Sequence, residues 1–335
     1  MLKENRQLRV AIVGASTLMG KEIKTVLGER RFPVSKLVLM DDDADLGRLA
    51  EFEGEPVFSQ AISEGSFEFL DVAFFAGDPV TTQTYAPLAQ KLHFLSVDLT
   101  HAFPEGSGVP LFLASAEDEA RVAPMRGLIS SPHPAALSIA AILRRIGAQV
   151  PIRSSVVTML QPASEQGSPG VEELERQTLN IFSFQKMPQT VFDGQLAFNL
   201  MGSLGQEAKA NLVQTEALIA GHLRMLLAPV CPLPAITLIQ APIFHSYAFS
   251  IFLDLDVDVT AEELGRIVSS DSVTLLEADE PGPSPVQAAG TDTVQLGLIK
   301  RDFLHPNAFW IWAASDNLRI SAINAVHAAE SVLLT

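Results

Sequence analysis

The chain has 335 residues, enough for two domains with cores of their own, and a formal net charge of −16. That charge argues against nucleic acid and anionic membrane surfaces as partners, since both call for a cationic face. The single cysteine, Cys231, cannot form an internal disulfide and suits a reducing compartment, and the seven scattered histidines show no metal-site spacing.

The polar start MLKENRQ holds no signal core. No uninterrupted run of about 20 apolar residues follows, so a cytoplasmic protein without membrane or metal is expected. Residues 8–13 form an apolar run apart from Arg9, as in a strand buried on both faces. A glycine turn and a helix with Leu18, Ile23, Val26 and Leu27 on its apolar side come next. Strands are expected at 36–40, 70–77 and 91–99, with "TTQTYAPLAQK" helical before the last. This alternation predicts a doubly wound, parallel α/β sheet.

Past residue 130 the pattern changes. A helix over 135–146 precedes a long strand, "IRSSVVTMLQPAS", and a helix, "VEELERQTLNIF". Residues 235–257 read as one or two strands, and the alternation of Phe249, Ile251, Leu253 and Leu255 suits a sheet with one buried face. Thr260 and Glu263 form a capping box at the start of a helix. A surface loop over 278–285, the strand "AFWIWAAS" and a C-terminal helix complete the pattern. Trp310 and Trp312 share one face of that strand, which suits a core or an interface.

"GASTLMG", Gly14 to Gly20, lies after a strand and before a helix, where a dinucleotide's pyrophosphate would sit. Gly14 permits the tight turn and Gly20 the close packing of helix on strand. The middle position, where a glycine lets the backbone approach the pyrophosphate, is Thr17: its hydroxyl can donate to a phosphate, and its Cβ stands in the way of one. Asp41, Asp42 and Asp43 end the second strand, where an acid can meet a ribose 2′-hydroxyl; three acids would repel a 2′-phosphate. NAD is therefore favoured over NADP, if any dinucleotide binds at all.

Several segments together resemble aspartate-semialdehyde dehydrogenase, in its order: "GASTLMGKE", "RRFPVSKL", "AFFAG", "SVDLTHAF", "ISSPHPAA", "LQPASEQGSPGVEEL", "QAPIFHS" and "DNLRISAINAVHAAE". "GQLAFNL" (194–200) and "QAPIF" (240–244) point to a divergent branch lacking the catalytic cysteine. The resemblance implies a Rossmann-type domain over 1–130, completed by a helix at 316–335, and a second α/β domain with a mixed sheet over 131–315 that forms a homodimer. It also implies a nucleotide site including Gly14, Ser16, Thr17, Leu18, Met19, Gly20, Asp41, Ala76, Gly77 and Asn317. The family reaction it implies is reductive dephosphorylation of aspartyl phosphate with NADPH, through a cysteine thioester.

Carried over residue by residue, the resemblance leaves no catalytic set intact. The family's Ser-Asn-Pro-Asn-Cys run becomes Ser130-Ser131-Pro132-His133-Pro134, so the nucleophile position is a proline suited to starting a helix. Gln161 matches the family's orienting glutamine. The Gly-His pair that supplies acid and base falls on Ser246-Tyr247, with His245 two residues early. On a strand, that slip would keep His245 on the same face as Tyr247. Ser-Gly-Ala-Gly, beside the nicotinamide, becomes Ser164-Glu165-Gln166-Gly167, and the substrate-binding arginine becomes Pro104. Glu207-x-Lys209 survives loosely, and the 2′-phosphate arginine falls near Ala44. Ser131, His133, Pro134, Gln161, His245 and Tyr247 thus mark an altered pocket. The favoured expectation is a nucleotide- or metabolite-binding dimeric pseudoenzyme; an oxidoreductase with altered chemistry on a small aldehyde or acyl phosphate, and a structural dimer, stand as alternatives.

Overall fold

A computed structural model describes residues 7–42, 47, 49–52, 54–113, 127–277 and 282–334. The chain divides into two units, residues 1–133 with 321–335, and residues 134–320.

Unit 1 is built on β1 (Leu8–Val13), which pairs in parallel with β2 (Val34–Asp41) on one side and β5 (Val72–Phe75) on the other. Beyond β2 lie β4 (Glu55–Ala61) and β3 (Leu49–Phe52); beyond β5 lie β6 (Leu95–Asp98) and β7 (Leu128–Ser130). Apart from Arg9, β1 is apolar, because each face has a cover. Leu8, Val10 and Ile12 pack with Ile23, Val26 and Leu27 of α1 (Leu18–Glu29) and with Ala322, Ala325 and Val326 of the C-terminal helix. Ala11 and Val13 pack with Met40, Phe67, Phe75 and Phe94 on the other face.

Two expectations need correcting here. The sheet is mixed, because β3 and β4 form an antiparallel hairpin at its edge. The strand expected at 91–99 begins only at Leu95: α2 (Pro79–Tyr85) is followed by α3 (Leu88–Leu92), which His93 ends in the left-handed conformation.

Unit 2 starts with α4 (Pro134–Gln149) and holds a second sheet in the order β11-β12-β13-β10-β8-β9. Its strands are β8 (Ile152–Gln161), β9 (Ala235–Gln240), β10 (Tyr247–Leu255), β11 (Val273–Leu275), β12 (Val294–Arg301) and β13 (Ala308–Ser315). The stretch 235–257 is therefore two strands, which β8 separates in space. The helices are α5 (Gly167–Ser183), α6 (Leu212–Leu227), α7 (Ala261–Val268) and the short α8 (Pro285–Ala288); α9 (Asn317–Leu333) starts in unit 2 and runs on into unit 1. The capping box at Thr260 and Glu263 is present on α7.

Phe249, Ile251, Leu253 and Leu255 of β10 are all fully buried, as their alternation requires. The opposite face is open. Across it, Lys300, Trp310, Phe252, Val156 and Ala235 stand in one register row from β12 to β9. Trp310 and Trp312 are 39% and 37% exposed, so neither belongs to the core. Among the described residues no helix is long and apolar enough to cross a membrane.

Candidate functional site

The winding of the unit 1 sheet reverses between β1 and β5, and doubly wound sheets bind ligands at the carboxyl ends of the strands at such a point. Here the two backbones touch. A Cβ on Gly14, whose φ is +83°, would lie 2.3 Å from the Gly77 Cα, and one on Gly20 would lie 2.2 Å from the Gly14 carbonyl oxygen. Packing alone therefore demands both glycines. Thr17 caps α1: its Oγ1 accepts from the Gly20 N–H at 2.9 Å and lies 2.8 Å and 3.0 Å from the carbonyls of Gly14 and Ala76, to which it donates. Its proton is spent within the protein. The N–H groups of Leu18 and Met19 are left as the first-turn donors that a phosphate could reach.

Asp41 ends β2 and is only 4% exposed. One of its oxygens accepts the Ser16 N–H at 2.8 Å and the other the Ser59 hydroxyl at 2.6 Å. The carboxylate read from sequence as a ribose ligand thus braces the turn, and Asp42 is the exposed acid beside it. Asp43 and Ala44 lie outside the described residues.

At the end of β6, Asp98 organises the loops that follow β6 and β7. One of its oxygens accepts the Thr100 N–H and hydroxyl at 2.7 and 2.8 Å; the other accepts the Ala102 N–H and the Ser130 hydroxyl at 3.1 and 3.0 Å. Burial pushes its carboxyl above the ordinary range, against these bonds, which pull it down. The two loops bring the rings of His101 and His133 to 5.4 Å between centroids. The Ser131 hydroxyl accepts from the Asn324 amide at 2.9 Å.

In unit 2, Pro134 is the first residue of α4, a position where a missing N–H costs nothing. One turn on, Ser138 donates to the Pro134 carbonyl at 2.9 Å and lies 2.8 Å from the Ser315 hydroxyl. At the end of β8, the Gln161 amide donates to Gln240 Oε1 at 2.9 Å, and Gln240 donates back to the Gln161 carbonyl at 3.0 Å. The Tyr247 hydroxyl reaches Gln161 Oε1 at 3.2 Å. Full burial, then the charge of Glu165 and a hydrogen bond to it, push the Tyr247 phenol well above its usual value. Asn317 Oδ1 accepts from the Ser164 hydroxyl and the Ser246 N–H, both at 3.2 Å.

The family models for semialdehyde dehydrogenases match this chain twice: the NAD binding domain over residues 9–122 and the dimerisation domain over residues 143–320. The chain belongs to the semialdehyde dehydrogenase family. Aspartate-semialdehyde dehydrogenase from Rickettsia bellii is 26% identical over 335 residues, 98% of this chain and 99% of its own length. The Aquifex aeolicus protein of the same name is 28% identical over 330 residues, 96% of this chain and 97% of its own length. Among solved structures, a probable aspartate-semialdehyde dehydrogenase from Pseudomonas aeruginosa superposes with a TM-score of 0.88 at 27% identity, covering 98% of this chain and 99% of that one. Aspartate semialdehyde dehydrogenase II from Vibrio cholerae, complexed with ASA, also gives 0.88 at 25% identity, covering 98% of each chain.

Set against the family pattern, the altered positions fall into groups. Gln161 and Tyr247 are brought together, with Glu165 and Gln240 beside them. His245 is not on their strand: β10 begins at Tyr247, and Ser246, at φ +74°, turns the chain between the two, so the shared-face argument fails. Asn317 is tied to Ser164 and Ser246 within unit 2. Glu207 and Lys209 lie in the loop before α6, where their backbone N–H groups bond to Asp193 and Val191. Asp98, Asn324 and Gln240 are organising residues that sequence reasoning missed. For Asp98 a signal existed: it is the charged residue that ends an otherwise buried strand. Among the described residues no group of three or more His, Cys, Asp or Glu could hold a metal ion.

Proposed function

We propose that this chain is a homodimeric member of the family that does not run the thioester reaction and acts by binding or association. The observation that carries the reading is Pro134 at the helix start, where a thiolate would gain from the helix dipole. The neighbouring hydroxyls offer no replacement: Ser130 is bonded to Asp98, Ser131 to Asn324, and Ser138 to the Pro134 carbonyl. The one thiol, Cys231, has its pKa raised by burial, the opposite of activation. Altered acid–base chemistry at Tyr247 is disfavoured for the same reason: a phenol held protonated is a donor, and a poor base near neutral pH.

The open face of the unit 2 sheet supports the dimer. An exposed apolar row on a sheet calls for a cover, and residues of the matched dimerisation domain carry it. A chain of net charge −16 resists self-association, yet the acids at this rim are compensated: Asp254 and Asp256 by Arg153, Asp258 by Arg301. Replacing both Phe252 and Trp310 by aspartate should convert dimer to monomer in sedimentation equilibrium; an unchanged mass would remove this face as the interface.

The catalytic half of the reading is tested with aspartate semialdehyde, phosphate and either NADP+ or NAD+. The expected result is no reduced coenzyme above that made by a Cys231→Ser variant. Turnover that survives Cys231→Ser and is abolished by His133→Ala or Tyr247→Phe would overturn it.

A further inference from the structure

We propose that Thr17 closes the unit 1 turn to dinucleotides and is the residue that sets this chain's affinity for them. The inference concerns unit 1 alone and does not rest on the fate of the nucleophile in unit 2. The backbone at Thr17 has φ −67° and ψ 165°, which any residue adopts, so no conformational demand calls for glycine there. Glycine's use at this position is to let a pyrophosphate come close to the backbone. Thr17 does the reverse. Its Oγ1 links three elements: the carbonyl that follows β1 (Gly14), the carbonyl that follows β5 (Ala76), and the third N–H of α1 (Gly20). These bonds cross the crevice between the two strands at which the sheet's winding reverses, the place a ligand would enter.

Of the other donors of the turn, four are consumed in the same way and only the Leu18 and Met19 N–H groups are left. The Gly14 and Ala15 N–H groups go to the Met40 carbonyl, the Thr17 N–H goes to the Gly14 carbonyl, and the Ser16 N–H goes to the buried Asp41 carboxylate. That carboxylate already occupies the donor a phosphate would seek, and its negative charge faces the same turn. A matched nucleotide-binding domain is present, but the side chain at its middle position does not fit a closely held pyrophosphate. Replacing Thr17 by glycine would remove the Cβ, break the link across the crevice and release the Gly20 N–H as one more donor.

The test is calorimetric titration of the full chain with NAD+, and separately with NADP+ and ADP-ribose, for wild type, Thr17→Gly and Thr17→Ser. Serine keeps the hydroxyl and is expected to fold and behave as wild type does. The expected result is no saturable binding by wild type or Thr17→Ser up to about 1 mM, and a gain of at least about tenfold for Thr17→Gly. Circular dichroism of each variant confirms that it is folded. Tight binding by wild type would overturn the proposal. So would binding no stronger in folded Thr17→Gly than in wild type, or a gain in Thr17→Ser equal to that in Thr17→Gly.

Discussion

The glycine turn of unit 1 and the amide cluster of unit 2 both fall on positions that the family resemblance marks for ligands, and each is held from within by different means. In the turn, close backbone packing keeps Gly14 and Gly20 as glycines whatever the site does, and a single hydroxyl on Thr17 ties the rest together. In the cluster no backbone constraint operates. The buried Gln161 side chain bonds both Gln240 Oε1 and the Tyr247 hydroxyl, and the Gln240 amide returns to the Gln161 backbone carbonyl. The difference teaches that the turn's shape is a demand of folding, which survives with or without a ligand. The cluster's shape is a set of mutual hydrogen bonds, each of which must be replaced if one member changes.

Five substitutions put this contrast to the test, in order of falling effect. Gly14→Ala drives a methyl to 2.3 Å from the Gly77 Cα in a left-handed conformation. It should lower stability by about 3–5 kcal/mol in urea unfolding or abolish folding; a loss below about 1 kcal/mol would show that the strands can separate there. Gln161→Ala leaves the buried Gln240 Oε1 without its donor, takes the Gln161 Oε1 acceptor from the Tyr247 hydroxyl, and should cost about 2–3 kcal/mol. A double-mutant cycle with Gln240→Ala should show a coupling of about 1 kcal/mol or more, whereas additivity would deny that the cluster acts as a unit. Thr17→Ala removes the cap and the hydroxyl's bonds to the Gly14 and Ala76 carbonyls and should cost about 1–2 kcal/mol in thermal unfolding.

Tyr247→Phe should have the smallest effect at neutral pH and a distinct one in alkali. The folded phenol has its pKa raised well above the ordinary tyrosine value of about 10, so its contribution is fully present below that pH and is lost as pH rises through the folded value. Wild type should lose stability as pH rises above about 10, where an unfolded tyrosine ionises while the folded Tyr247 keeps its proton, and Tyr247→Phe should lose less. Equal alkaline losses in the two proteins would contradict the assignment.

Much of the fold was legible because burial leaves its period in the sequence. The apolar run of β1, the alternation of β10 and the capping box of α7 each record one packing requirement. What the sequence concealed has a common physical form. His93 and Ser246 adopt left-handed conformations without being glycine, so the end of α3 and the break before β10 carry no visible marker. The strand expected from residue 91, and the face shared by His245 and Tyr247, both failed on that point. The β3–β4 hairpin escaped notice for another reason: it sits at a sheet edge, and β4 is mostly exposed and carries little apolar alternation. At the candidate site, residue identities told what was replaced: Pro134, Thr17 and Tyr247 are plain in the sequence. They could not tell where the proton of Thr17 goes, or that Asp41 turns inward to Ser16 and Ser59, since partners across the sheet are a property of the fold.

The central claim is that no side chain at the start of α4 forms a covalent bond with a carbonyl substrate. Intact-protein mass spectrometry tests it most directly, after incubation with aspartate semialdehyde and NADP+ or NAD+ without phosphate, so that an acyl adduct would accumulate, and quenching in acid. The expected result is no adduct, other than surface amine labelling equal in a heat-denatured control, and none on peptides spanning residues 130–138. A substrate-dependent adduct confined to Ser131, His133 or Ser138 in the folded protein would contradict it.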